Sequence, residues 1–406
     1  MIRAEEARKL ILEHTSVLES EALHILECLD RVSAEDIYAT ENLPPFHNSA
    51  MDGYAVIASA LKGASVDSPV TLQIVGKLPA GYTTDKKLTE SDAIKIMTGA
   101  PVPEGADAVI QIEATRQEGE QVKIFRGLKK WQNIRFAGED VKKGQLVIPK
   151  GKLLGASDIG MLAALNIGRA AVIRTPSVSL LSTGDELADI GEELLPGKIR
   201  TISNYSLYAQ LVKHGAIPEN LGIAIDTKEE IRRKLEEGRD CDILITAGGV
   251  SVGDYDHVRS VLTSMGMKEI FWRVAVKPGK PVLFGILGKT LVFGLPGNPV
   301  SSMVALNQFV LPAVYKMQGK SRMPWKEMEA IMEGDFEKKK NGLRYFLRAR
   351  ASLRDGAIYV KPLDNQSSGS FSSMIFSNCL LIIPEEVSKI QDGEKVLIQV
   401  MDEITE

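Results

Sequence analysis

The segment Ile243–Val258, ILITAGGVSVGDYDHV, passes from an apolar run through two adjacent glycines into an acidic loop. Ile243, Leu244 and Ile245 form the kind of continuous run that makes a strand buried on both faces. Gly248 and Gly249 then end it with backbone that other residues adopt only at a cost. Asp254 and Asp256 fall where the chain enters a helix through Val258 and Leu262. Their carboxylates and the free N–H groups of the helix share one space, a place for a phosphate, a metal, or both.

Outward from this stretch, strand and helix patterns alternate. Val178–Leu181, Leu221–Ile225 and Asp242–Thr246 read as strands, and Asn204–Lys213, Lys228–Glu237 and Tyr255–Met265 as helices. Such alternation predicts a central parallel-sheet α/β domain over 172–320 with right-handed crossovers. Pro281–Gly285 and Thr290–Gly294 read as a hairpin around Leu287-Gly288, and Pro299–Met317 as one long final helix.

In such a sheet the loops after the carboxyl ends of the strands gather on one rim, where ligands bind. Thr183–Glu186, Asp226, Gly248–Asp256 and Leu295–Pro299 all follow strands. Lys277–Lys280 precedes one, but an antiparallel hairpin returns it to the same rim. The rim would then collect carboxylates from Asp185, Glu186, Asp226, Asp254 and Asp256 together with the ammonium groups of Lys277 and Lys280. Carboxylate oxygens suit a hard cation such as Mg²⁺, and lysines suit an oxyanion. Metal-assisted chemistry on a phosphorylated ligand is the expectation.

The rest of the chain divides by pattern. Residues 1–43 and 138–171 are helical pieces of one discontinuous domain, the latter carrying a helix within Gly151–Gly168 that Gly168 stops. Between them, 44–137 is an inserted β domain with strands at Leu72–Val75, Ala93–Met97, Ala108–Ile112 and Gln121–Phe125. It opens on the irregular segment Asn42–Val56. Residues 323–406 form a small C-terminal β domain, a barrel, with runs at Arg344–Arg350, Ala357–Val360, Leu380–Ile383 and Lys395–Val400. Within it Glu337–Lys340 reads as solvated surface and Ser367–Ser373 as a polar loop.

The chain of 406 residues is 44% hydrophobic, enough for several cores, and 49 basic against 53 acidic side chains give a net charge of -4, so no general nucleic-acid footprint is expected. Three widely spaced cysteines, Cys28, Cys241 and Cys379, point to a reducing, cytoplasmic setting. No apolar run is long enough for a membrane span, and MIRAEEARKLILEH is not a signal peptide. His47, His214 and His257 stand singly and read as structural.

Eight motifs, in order and spacing, resemble the MoeA family of molybdopterin molybdenumtransferases, whose core recurs in the gephyrin E domain. They are PPFHNSAMDGYAV (44–56), TGAPVPEGADAVI (98–110), GEDVKKG (138–144), STGDEL (182–187), SNYSL (203–207), GGVSVGDYD (248–256), KPGKP (277–281) and GLPGNPVSS (294–302). The resemblance implies a homodimer with an inter-subunit active site, in which adenylylated molybdopterin and molybdate combine and AMP leaves, assisted by Mg²⁺. It also implies contact with the molybdopterin adenylyltransferase and with molybdoenzyme acceptors. Asp52, Thr98 and Asp140 would line one side of the cleft, and Glu186, Asp226, Asp256, Lys277 and Lys280 the other.

Glu186 and Asp256 would hold the cation. Cofactor contacts would come from Gly184 and Asp185, Ser203 and Asn204, Gly248, Gly249, Ser251 and Gly253, and Pro296, Gly297, Asn298 and Pro299. Ser368 is added from the serine cluster. Asp254 reads as a cap. Many family members have lysine where this chain has Arg273, a planar fork and not a point charge. Two other readings are a non-catalytic scaffold of the gephyrin E-domain type and a MogA-type adenylyltransferase; the latter explains only the α/β domain.

Overall fold

The computed structural model describes residues 1–250, 257–339 and 342–405. Ser251, Gly253, Asp254 and Asp256 of the expected site, and Tyr255 at the expected helix start, lie outside the described residues. The chain forms two compact units, Met1–Glu21 with Ile173–Glu406, and Ala22–Val172.

The first unit opens with helix α1 (Ala4–Glu13). Its Ala4, Ala7 and Ile11, at helical spacing, enter the same core cluster as Val304, Leu306 and Phe309. The α/β domain that follows contains strands β1 (Ser177–Thr183), β2 (Ile217–Ala224), β3 (Ile243–Ala247), β4 (Lys268–Trp272), β5 (Leu283–Leu287) and β6 (Thr290–Leu295). Helices α2 (Ser203–Lys213), α3 (Lys228–Glu237) and α4 (Val258–Ser264) lie between them in sequence. The sheet order is β2-β1-β3-β6-β5-β4. The first four strands are parallel, and β5 alone is reversed, pairing antiparallel with β6 on one side and with β4 on the other.

Strand β3 shows why its sequence is apolar throughout. Ile243 and Ile245 enter one core cluster, while Leu244 enters another with Leu181 and Val292. Alternate side chains thus fill opposite faces of a sheet covered on both sides. Helix α3 adds Ile231 and Leu235, four residues apart, to the second cluster, and the Thr227 hydroxyl accepts from the Glu230 N–H at its start.

Several expected elements change. The span Pro299–Met317 is α-helical over Pro299–Ala305, a π-helix over Leu306–Val310, and α-helical again over Leu311–Met317. Pro312 supplies the reason: it has no N–H for the Gln308 carbonyl, and its ring crowds that carbonyl, so the helix widens there. Strand β4, absent from the sequence expectation, extends the sheet beyond the hairpin.

The C-terminal region closes into a five-stranded barrel. Its strands are β7 (Lys326–Met332), β8 (Arg344–Arg354), β9 (Ala357–Pro362), β10 (Cys379–Ile383) and β11 (Lys395–Val400), and a β8–β10 pairing closes the order β8-β9-β7-β11-β10. Tyr345, Leu347 and Leu381 fill the barrel, while the alternate residues Phe346, Leu380 and Ile382 join the large core cluster shared with the α/β domain. The short strand Val276–Lys277 pairs with β8 in parallel. Lys338 departs from the expected solvated run. It is 7% exposed, with its ammonium donating to the carbonyl oxygens of Leu343 and Pro384.

The second unit carries a six-stranded sheet in the order Ala108–Gln111, Gly53–Val56, Asp92–Ile96, Val70–Leu78, Gln121–Ile124, Thr115–Glu118. Gly53–Val56 was expected to be irregular. It is an interior strand, paired on both sides through Tyr54 with Lys95 and Ile110. A Cβ on Gly53 would lie 1.8 Å from the Ile110 carbonyl oxygen, so only glycine allows this approach. The helix expected before Gly168 spans Ala156–Ala164, and Asn166 at φ 56° terminates it in the left-handed conformation.

Candidate functional site

The parallel strands bring their carboxyl ends together. Ser182 pairs with Ala247, Ala247 with Leu295, and Thr183 with Ala224. Leu283, at the start of β5, pairs with Gly294, so the Lys277–Lys280 turn comes back beside the end of β6. The rim anticipated from the sequence is therefore assembled, for its described residues, within one domain.

Glycines set its floor. A Cβ on Gly248 would lie 2.5 Å from the Thr183 carbonyl oxygen, and Gly248 has φ 106°. Gly249 lies against Val258, and an added Cβ on Gly297 would stand 3.6 Å from the Gly248 Cα. The two glycine loops thus bring backbone against backbone. Pro296 is buried, Asn298 is the residue before the helix that Pro299 opens, and the Asn298 carbonyl accepts from the Ser302 N–H.

The carboxylates collect at one side. The Asp226 N–H donates to Asp185 Oδ1 at 3.0 Å, and the Asp185 N–H donates to Asp226 Oδ2 at 3.3 Å. Glu186 folds back over Gly184, where a Cβ would meet its carboxylate oxygen at 2.6 Å. Burial raises the Asp226 pKa above the ordinary carboxylate value, and the negative charges of Asp185 and Glu186 add to that shift. Such crowding is what a cation would relieve. The donors are hard oxygens, which fits Mg²⁺, but among the described residues no three His, Cys, Asp or Glu side chains are grouped to hold a metal. Asp256, the second expected ligand, lies outside the described residues.

On the basic side, Lys277 is half-buried and Lys280 exposed. The Lys280 carbonyl accepts from the Val274 and Val282 N–H groups, which fixes the turn. Ser203 and Asn204 lie deeper. Asn204 is fully buried; its amide oxygen accepts from the Ser182 hydroxyl at 2.6 Å and its amide nitrogen donates to the Gly222 carbonyl at 2.8 Å. Both polar ends tie β1 to β2. The hydroxyls of Ser203 and Ser302 are 3.4 Å apart.

In the second unit, Asp52 Oδ1 accepts from both the backbone N–H of Thr98, at 2.7 Å, and its hydroxyl, at 2.8 Å. The backbone bond first, and then the hydroxyl, holds the Asp52 carboxyl below its ordinary pKa. Asp140 is exposed on a different loop, with its N–H donating to the Leu43 carbonyl. Glu139 beside it is engaged by the Phe136 N–H.

Two features of the first unit escaped the sequence reading. The Thr183 hydroxyl, at the end of β1 and facing the two glycines, is buried without a hydrogen-bond partner among the described residues. A threonine closing a β-rich run carries no signal of this. Arg348 is 1% exposed, and burial lowers its pKa to about 10. Its guanidinium donates to the Ser373 hydroxyl and the Ser367 carbonyl, and so fastens the loop that carries Ser368. Its alternating strand context hid that role.

Comparison with known proteins places this architecture. Residues 2–166 match the MoeA N-terminal region (domain I and II), 179–316 a family described as "Probable molybdopterin binding domain", and 330–401 the MoeA C-terminal region (domain IV). The molybdopterin molybdenumtransferase of Haemophilus influenzae is 36% identical over 405 residues, covering 98% of both chains. Two crystal structures of the molybdopterin biosynthesis MoeA protein of Pyrococcus horikoshii match with TM-scores of 0.86 and 0.81, at 30% and 32% identity, covering 99% and 98% of this chain and 100% of each of theirs. Similarity that runs the full length of both chains, in sequence and in fold, leaves one assignment: the chain belongs to the MoeA family of molybdopterin molybdenumtransferases.

Proposed function

We propose that this chain transfers molybdenum from molybdate into adenylylated molybdopterin, with release of AMP, as a step of molybdenum cofactor biosynthesis. The observation that carries the reading is the rim itself. Crowded carboxylates (Asp185, Glu186, Asp226) stand in a domain that also presents Lys277 and Lys280, within a chain 36% identical to a molybdopterin molybdenumtransferase.

The residues divide the work. Lys277 and Lys280, with Arg273 nearby, draw in molybdate and offset the negative charge of the adenylate. Gly248, Gly249 and Gly297 let the backbone approach pterin or phosphate closely. Glu186 and Asp256 would hold a divalent cation, which supplies Lewis-acid stabilisation to the departing phosphate oxygens. Asp226 and Asp185 brace that edge through their mutual hydrogen bonds.

We further propose a cytoplasmic homodimer of four-domain subunits, in which the Asp52, Thr98 and Asp140 loops of one subunit face the α/β rim of the other. Encounters with the molybdopterin adenylyltransferase and with molybdoenzyme acceptors follow from the reaction. Among the described residues, no helix is long and apolar enough to cross a membrane.

The test is incubation of the purified protein with adenylylated molybdopterin, Mg²⁺ and molybdate. Release of AMP with metal-loaded pterin is the expected result. A folded protein that binds the pterin and releases no AMP would overturn the transferase reading in favour of a scaffold.

A further inference from the structure

We infer that Tyr345 is a positioning residue for Lys277, holding its ammonium at the rim by the face of the phenol ring without cancelling its charge. The inference rests on the proposed role of Lys277 in drawing in an oxyanion.

Register creates the contact. In the parallel pairing of Val276–Lys277 with β8, Lys277 stands opposite Tyr345. The Lys277 ammonium lies 4.9 Å from the centre of the Tyr345 ring. That is within the range of about 6 Å over which a ring quadrupole attracts a cation. Tyr345 is 2% exposed and belongs to the barrel core, and Phe336 meets its ring edge-on at 6.3 Å. The ring is therefore a fixed support, and the lysine the movable partner.

A second ammonium on the same ring sharpens the contrast. Lys338 lies 5.2 Å from its centre, but its N–H groups are taken up by the carbonyls of Leu343, Pro384 and Glu385. Among the described residues, Lys277 has no such set of acceptors and no carboxylate in an ion pair. A carboxylate partner would fix the ammonium but neutralise the field that an incoming dianion feels. An aromatic face fixes it and leaves the charge available. Lys338 is thus the structural cation of the ring and Lys277 the functional one.

The test separates ring electrostatics from packing and from catalysis. Three versions of the full chain are compared with the parent: Y345F, Y345L, and Tyr345 replaced by pentafluorophenylalanine, which keeps a ring of similar size but reverses its quadrupole. Acetylation of Lys277 by acetic anhydride, followed by mass spectrometry, reads the freedom of the ammonium directly. We expect Y345F to match the parent, and the other two to label about three- to tenfold faster, the range of a partly desolvated cation–π contact. In the transferase assay the same two should raise the KM for molybdate by a similar factor and change kcat less.

If the pentafluoro variant labels Lys277 at the parental rate, or if Y345F behaves like Y345L, the inference is overturned. Faster labelling in a protein whose parent releases no AMP would keep the positioning role and reject the transferase reading.

Discussion

Asp185 and Asp226 each offer a backbone N–H to the other's carboxylate, at 3.0 and 3.3 Å, although both side chains are acidic. The exchange ties the loop after β1 to the loop after β2 and concentrates negative charge. Asparagine at position 226 keeps an acceptor oxygen for the Asp185 N–H and removes one charge. Because the folded pKa of Asp226 is raised above 3.8, the stability it contributes is present below that value and is lost as pH rises through the folded pKa. At neutral pH, D226N without added cation should therefore melt at or slightly above the parent, by no more than about 1 kcal/mol since solvent reaches the group. Mg²⁺ should raise the melting temperature of the parent, and raise that of D226N by less, because Glu186 and Asp256 are still present to hold the cation while one of the crowded charges it would relieve is gone. Melting of D226N well below the parent without cation would contradict this account.

Thr98 offers Asp52 two donors, and only the hydroxyl can be removed by mutation. T98V preserves shape and the backbone bond, which is the larger cause of the lowered pKa. The Asp52 carboxyl should titrate higher in T98V than in the parent, yet still below its ordinary value, as followed by carboxyl-carbon NMR. Turnover should fall about three- to tenfold in T98V, one hydrogen bond to a charged group, and further in D52A. An unchanged Asp52 titration would show that the hydroxyl bond contributes nothing.

Local pattern carried much of the fold. Ile243–Ile245 announced a strand covered on both faces, and alternating strand and helix placed four parallel ends on one rim. The Lys277 turn joined it through hairpin geometry alone. What stayed hidden depends on pairing between distant segments. Gly53–Val56 reads as loop because its neighbours are prolines and polar residues, and only ladders to both Asp92–Ile96 and Ala108–Gln111 make it a strand. Lys338 reads as surface because its burial is decided by carbonyls of Leu343 and Pro384. In the candidate site, the placement of carboxylates and glycines at strand ends was legible from local pattern; the burial of the Thr183 hydroxyl and the ring that Tyr345 sets against Lys277 were not, since an ordinary residue acquires such surroundings from what the fold sets against it.

Gly53 gives the sharpest stability prediction. The position a Cβ would take is 1.8 Å from the Ile110 carbonyl oxygen, closer than any non-bonded contact permits. Backbone on both sides is held in ladders, so the strands must part. G53A should destabilise the second unit by about 3 kcal/mol or more. Urea unfolding monitored by the fluorescence of Trp131, the tryptophan of that unit, with Trp272 and Trp325 changed to Phe, would measure it. A loss under about 1 kcal/mol would mean that the strand pair can separate cheaply.

His214 ends helix α2, with its Nδ1 3.0 Å from the hydroxyl of Tyr315 in the helix Leu311–Met317. Burial first, and then the positive charges of Lys213 and Lys320, lower its pKa from 6.5 to about 4. The unfolded chain therefore takes up a proton at a higher pH than the folded one does. Stability should fall as pH drops from about 6.5 to about 4 and level off below, as far as this group is concerned. The expected loss is about 1 to 2 kcal/mol, residual solvent contact damping the full effect. H214F removes the titration and leaves the Tyr315 hydroxyl without this partner. It should be less stable than the parent at pH 7.5, and the gap should narrow or reverse at pH 4.5. Denaturant midpoints at the two pH values decide the matter, and a gap that stays constant would mean that His214 is protonated inside the fold.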